Sequence, residues 1–147
     1  MKKKNTLLLF LCLFSLWAVA QEKKPVKIAC VGNSITYGSG IKNQFQNSYP
    51  GLLSQLLGEG YDVRNFGISA RVLLNKGDHP YMHEQKFRDL LAFQPDIVTI
   101  KLGTNDSKPW NWRYGKDFKK DLTEMLDILQ ELPSKPKIYL CLPVPAV

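Results

Sequence analysis

The sequence predicts an α/β domain built on a doubly wound parallel sheet. Two observations carry that expectation: four short apolar runs alternate with longer amphipathic stretches, and no internal repeat or low-complexity linker interrupts them. The strands are expected at Val26–Val31, Tyr61–Phe66, Ile97–Leu102 and Ile138–Leu142. Between the first two, Gln46–Leu57 carries Leu52, Leu53, Leu56 and Leu57 on one helical stripe, with Pro50 near its start. Glu84–Phe93 places Phe87, Leu90 and Leu91 at helical spacing and is broken by Gln94-Pro95-Asp96. Phe118, Leu122, Met125, Leu126 and Leu129 mark a third helix, stopped by Pro133. Strands alternating with helices define βαβ units, hence a three-layer arrangement with the sheet covered on both faces. The handedness of the crossovers narrows this to the doubly wound form. The run Pro143-Val144-Pro145-Ala146-Val147 follows the fourth strand. A fold of this kind continues with a further helix, so the sequence reads as a domain with its C-terminal part missing.

Residues 1–20 read differently from the rest. Lys2, Lys3 and Lys4 form a basic start, Leu7 to Leu16 is almost wholly apolar, and Ala18-Val19-Ala20 is a small-x-small cleavage signal before Gln21. That is the pattern of a secretory signal peptide cleaved after Ala20, too short for a membrane span. The expected location is therefore secreted or periplasmic, with residues 21–147 as one domain. Removing the leader takes the net charge from +7 to +4. Such a mild excess, with no basic run longer than pairs such as Lys119-Lys120, implies neither nucleic acid nor an anionic surface as partner. Of three cysteines, Cys30 and Cys141 remain, each in a strand-like run. They read as buried free thiols, with a disulfide the alternative in an exported protein, and no cysteine spacing suits a metal.

The stretch Ile28 to Gly40, IACVGNSITYGSG, ends an apolar strand on Gly32-Asn33-Ser34. One reading is punctuation, with Gly32 and Asn33 turning the chain and Ser34 capping a helix. The other holds Ser34 up as a nucleophile. Asn65-Phe66-Gly67 ends the second strand, and Leu102-Gly103-Thr104-Asn105-Asp106 follows the third. All three lie at the carboxyl ends of parallel strands, the edge on which doubly wound sheets bind ligands. With the first strand central, Ser34 is flanked by Gly67 and Asn105. Acyl transfer needs donors about 3 Å from the developing oxyanion. The N–H of Ser34, the N–H of Gly67 and the amide of Asn105 are the expected donors, glycine permitting close backbone approach.

These blocks resemble the SGNH (GDSL-like) hydrolases, and within them secreted bacterial esterases acting on acetylated carbohydrates. Gly32-Asn33-Ser34, Gly67 and Gly103-Thr104-Asn105-Asp106 match three of the family's blocks in order, across residues 26–142. The resemblance implies a flavodoxin-like fold, Ser34 as catalytic nucleophile, an oxyanion hole from Ser34, Gly67 and Asn105, and no cofactor. Its fourth block, a D-x-x-H-like segment supplying the histidine base and its aspartate, has no counterpart. The two histidines are His79 and His83. Adjacent Asp78 and His79 side chains diverge, Pro80 disfavours a helix joining the histidines, and two ligands are too few for a metal.

Four other residues draw notice. Trp110 and Trp112 on the loop after Asn105 offer indole faces to a sugar ring, or cover the helix below. Arg71 faces substrate or solvent. Lys101, inside the third strand, must snorkel or pair. Asp106 is expected to hold the Asn105 loop by hydrogen bonds. The sequence thus reads as an exported serine esterase for O-acetyl esters on a small or oligomeric carbohydrate. The alternatives are a carbohydrate-binding protein without chemistry and a fragment of a lipid esterase of lysophospholipase type.

Overall fold

The computed structural model describes residues 24–143, so the leader expected over residues 1–20 lies outside the described residues. Four strands, β1 (Val26–Gly32), β2 (Tyr61–Gly67), β3 (Ile97–Lys101) and β4 (Lys137–Leu140), form one sheet in the order β2-β1-β3-β4. Every neighbouring pair is parallel, with Gly32 in register with both Gly67 and Lys101. Each strand lies on its expected apolar run, with ends displaced by one or two residues. The helices are α1 (Ser34–Tyr37), α2 (Gln44–Asn47), α3 (Tyr49–Leu57), α4 (Gln85–Phe93), α5 (Pro109–Trp112) and α6 (Phe118–Gln130).

Strand alternation sorts the side chains into two faces. Ala29 and Val31 of β1, with Val98 and Ile100 of β3, point to the face packed by Phe87 and Leu90 of α4 and by Met125 and Leu129 of α6. On the opposite face, Cys30 and Thr99 meet Tyr49 of α3, whose hydroxyl is 2.7 Å from Thr99 Oγ1. Burial pushes the Cys30 thiol up from its ordinary pKa. The result is the three-layer α/β architecture expected from the alternation of elements. Both cysteines are free, but Cys141 is exposed, where a buried thiol was expected.

The single helix expected at Gln46–Leu57 is two. Ser48 takes an extended backbone between α2 and α3. Pro50, at the start of α3, has no N–H to continue an earlier helix. The two pack closely, since a Cβ on Gly51 would meet the Phe45 carbonyl. The leucine stripe is not the buried face either. Leu52, Leu56 and Leu57 are exposed, Leu56 at 84%. α3 lies along β2 at the edge of the sheet and reaches towards β3 through Tyr49, so the stripe turns outward. Tyr139, Leu140 and Leu142 are exposed as well.

Two side chains tie the end of β2 into the core. Asn65 Nδ2 donates to the carbonyls of Thr36 at 3.0 Å and Tyr37 at 3.3 Å, closing α1 against β2. The Tyr81 hydroxyl, fully buried, donates to the Phe66 carbonyl at 2.6 Å. Tyr81→Phe removes one of two donors to that carbonyl, which keeps its ladder bond to β1, and the expected cost is about 0.5–1.5 kcal/mol. Urea unfolding should show it as a lower midpoint at unchanged slope. A loss near zero would mean that water replaces the hydroxyl.

Candidate active site

The site is assembled where β1 ends. Gly32 closes the strand because Thr36 and the Lys101 carbonyl leave no room for a Cβ. α1 begins at once, and its N-cap is Asn33, whose Oδ1 accepts the Ile35 N–H at 3.0 Å. Capping therefore falls to Asn33, which is almost completely buried, and not to Ser34. Ser34 is the first residue of the helix, half-buried, and its hydroxyl makes no hydrogen bond. A serine relieved of capping and left with an unpartnered hydroxyl at a sheet edge has no evident structural task.

Strand order sets Ser34 between the ends of β2 and β3. Gly67, expected as the second donor, does not face it. The Ile68 N–H donates to the Gly32 carbonyl at 3.0 Å, so it points towards β1. Successive N–H groups of a strand point to opposite sides. The Gly67 N–H therefore points to the open edge, where Asn65 Oδ1 accepts it at 2.9 Å. Its carbonyl faces the same way and accepts from Lys86 Nζ at 3.2 Å. Glycine is needed at this position for a packing reason: a Cβ would sit 2.3 Å from the Tyr37 nitrogen.

The segment after Gly67 crosses the end of β1. It leaves through the bond from Ile68 to Gly32, touches the end of α1 where Ser69 Oγ lies 2.6 Å from Ser39 Oγ, and reaches the β3 loop where the Arg71 carbonyl accepts Asn105 Nδ2 at 3.1 Å. Ala70 sits between those last two contacts. Its backbone is left-handed, φ 67°, and its exposed N–H has no partner. For a residue with a Cβ that conformation costs on the order of 1–3 kcal/mol and persists only where neighbours enforce it. Asn105 is 9% exposed, and one hydrogen of its amide is spent on Arg71, which leaves the other to donate.

Asp106 fixes this crossing segment from below. Fully buried, it accepts the Leu73 and Leu74 amides on one oxygen, both at 2.8 Å. The other oxygen has no partner. Burial raises the carboxyl pKa, against the opposing pull of the two amides. Asn111, likewise buried, donates to the Asn105 carbonyl at 3.0 Å and to Asp78 at 3.1 Å. So the loop after β3 is held through both its side chains and its main chain, as the Asp residue there led one to expect, although the partners lie in the segment after β2.

Arg71, Trp110 and Trp112 are already engaged. Arg71 pairs with Glu84 at 2.8 Å and donates to the Ser69 carbonyl at 3.0 Å, bracing the crossing segment. Trp110 Nε1 donates to Asp78 at 3.1 Å, and the Lys108 ammonium lies 5.6 Å from its ring centre. Trp112 packs on Gly115 and against Phe118, covering the start of α6. Lys101 is half-buried and its ammonium makes no ion pair or hydrogen bond. The imidazoles of His79 and His83, both exposed, hydrogen-bond neither Ser34 nor any carboxylate. Among the described residues no group of three His, Cys, Asp or Glu side chains is placed to hold a metal, and no helix is long and apolar enough to cross a membrane.

A parallel sheet with a serine after β1 and G-x-N-D after β3 places the chain among α/β folds with a site at the carboxyl edge of the sheet. The chain belongs to the GDSL-like lipase/acylhydrolase family, matching it over residues 30–147. It is 48% identical over 144 residues to an acetylxylan esterase of Xylanibacter ruminicola, covering 86% of this chain and 30% of that protein. Its fold is shared with the M. smegmatis aryl esterase, at TM-score 0.61 and 24% identity, over 78% of this chain and 62% of the other. A carbohydrate acetylesterase from Sinorhizobium meliloti aligns with TM-score 0.61 and 22% identity over the same shares.

Asp106 yields a test with a definite sign. Its folded pKa lies above the ordinary 3.8, so the folded state holds its proton longer than the unfolded one. Its contribution to stability is then fully present below the unfolded pKa and declines as pH rises through the folded pKa. Asp106→Asn should flatten that acid-range decline in urea midpoints. A decline of equal size in the variant would assign it to other carboxylates.

Proposed function

We propose that this chain carries the nucleophile and oxyanion hole of an exported serine esterase that removes O-acetyl groups from a xylan-like carbohydrate. The observation that carries the reading is Ser34, relieved of capping by Asn33, with an unpartnered hydroxyl between the ends of β2 and β3. Likeness to the acetylxylan esterase supports the substrate class, and the basic, then apolar, then Ala18-Val19-Ala20 leader supports export.

In this reading Ser34 Oγ attacks the acetyl carbonyl carbon and a tetrahedral oxyanion forms. The donors are the second amide hydrogen of Asn105, the Ser34 N–H and, in place of Gly67, the exposed N–H of Ala70. Donors preset at that position act without reorganising during the reaction. Collapse expels the sugar hydroxyl and leaves acetyl-Ser34, which water then cleaves. Both proton transfers need a base, and neither His79 nor His83 is hydrogen-bonded to Ser34.

A base supplied from solution tests this. An alkyl fluorophosphonate should label Ser34 in the 147-residue chain, read by intact mass, with a rate that rises with added imidazole. Ser34→Ala should abolish labelling. Asn105→Ala should slow it by about 10²–10³-fold, the usual cost of losing one oxyanion donor. Imidazole-stimulated labelling that persists in Ser34→Ala, or none in the parent chain, would defeat the esterase reading.

A further inference from the structure

A groove lies away from the Trp110 side of the site. It runs along the open edge of β2, encloses about 900 Å³, and is walled by α2 and α3. A second depression of about 550 Å³ adjoins it, bounded by Gly67, Ser69 and Arg71 of the segment that crosses above Ser34. Tyr37 and Lys86 line both, so the two form one path from the candidate site down the edge strand. From Asp62 to Gly67 that path is five strand steps, roughly 17 Å at about 3.3 Å each.

We infer that this groove holds the sugar backbone of a polymeric substrate, with Phe45 as its stacking platform; the inference rests on the carbohydrate-esterase reading of Ser34. Three observations point to a neutral polyhydroxy chain. The ring of Phe45 on α2 is 93% exposed, an arrangement with no packing role that suits an apolar sugar face. The groove is rich in carboxamides whose nitrogens are tied down: Gln44 donates to the Tyr37 carbonyl, Asn47 to Lys42 at 2.8 Å and Gln55 to Gln46 at 2.8 Å. Their oxygens have no partner and stand as fixed acceptors for hydroxyl groups. The charged side chains that line it are engaged within the protein, Asp62 with Arg64 at 2.8 Å and Lys86 with the Gly67 carbonyl at 3.2 Å, which disfavours a charged ligand. The β2 main chain adds to this, because by alternation Val63 turns its N–H and carbonyl to the open edge, like Gly67.

Unacetylated xylohexaose, titrated calorimetrically into the 147-residue chain, tests the inference without any need for turnover. Binding is expected, and Phe45→Ala should weaken it about tenfold. Phe45 contributes almost nothing to the core, so the variant should fold. Gln55→Ala should weaken binding as well. No binding by the parent chain, or binding indifferent to both substitutions, overturns the groove assignment. So does sedimentation showing that the open β2 edge is filled by a second copy of the chain. Phosphonate labelling of Ser34 in the parent chain separates the two readings. Labelling without sugar binding removes the groove alone, while Phe45-dependent binding without labelling removes the esterase reading alone.

Discussion

One buried carboxylate governs the upper edge of this sheet. Asp106 holds the amides of Leu73 and Leu74 on a single oxygen and so pins the chain leaving β2 against the loop leaving β3. The pin acts together with the Ile68 N–H on the Gly32 carbonyl, the Asn105 amide on the Arg71 carbonyl and the buried side chains of Val72, Leu73 and Leu74. Ala70 lies between these anchors. A buried acceptor with two main-chain donors is worth having only if both remain paired, since each orphaned amide costs about 1–3 kcal/mol.

The ladder parity of β2 sorts the rest. Even-numbered residues near its end turn their main-chain groups towards β1, and odd-numbered ones turn theirs outward. Inward groups build the sheet. Outward groups serve the edge: Gly67 closes a turn with Asn65 and receives Lys86, and Val63 faces the groove. The proposed oxyanion segment and the proposed binding edge thus continue one strand, separated only by the side to which each peptide points.

Much of this was readable from the residues. Apolar runs gave the strands, and their order along the chain gave a parallel sheet with Ser34 and Asn105 at neighbouring strand ends. What could not be read was orientation. Gly67 stands at the expected strand end, but which way its N–H points depends on the register with Gly32, which no local pattern encodes. Asn65 looks like an ordinary turn former in the sequence, yet it clamps α1 to β2. The leucine stripe of α3 has helical spacing, but spacing does not say whether a helix lies over the middle of a sheet or along its edge. Phe45, next to a run of amides, lies just before the helix expected at Gln46–Leu57, and nothing in its local pattern marks it as exposed.

The left-handed backbone of Ala70 has a consequence for how such a site drifts over generations. A main-chain donor has no side chain to be preserved, so its lineage is recorded only as a ceiling on bulk. Glycine or asparagine would hold the turn as well as alanine does, whereas valine or isoleucine would not. Descendants can exchange the letter at this position within that short alphabet and keep the proposed donor in place. The position will therefore look variable in just the way an unimportant one does.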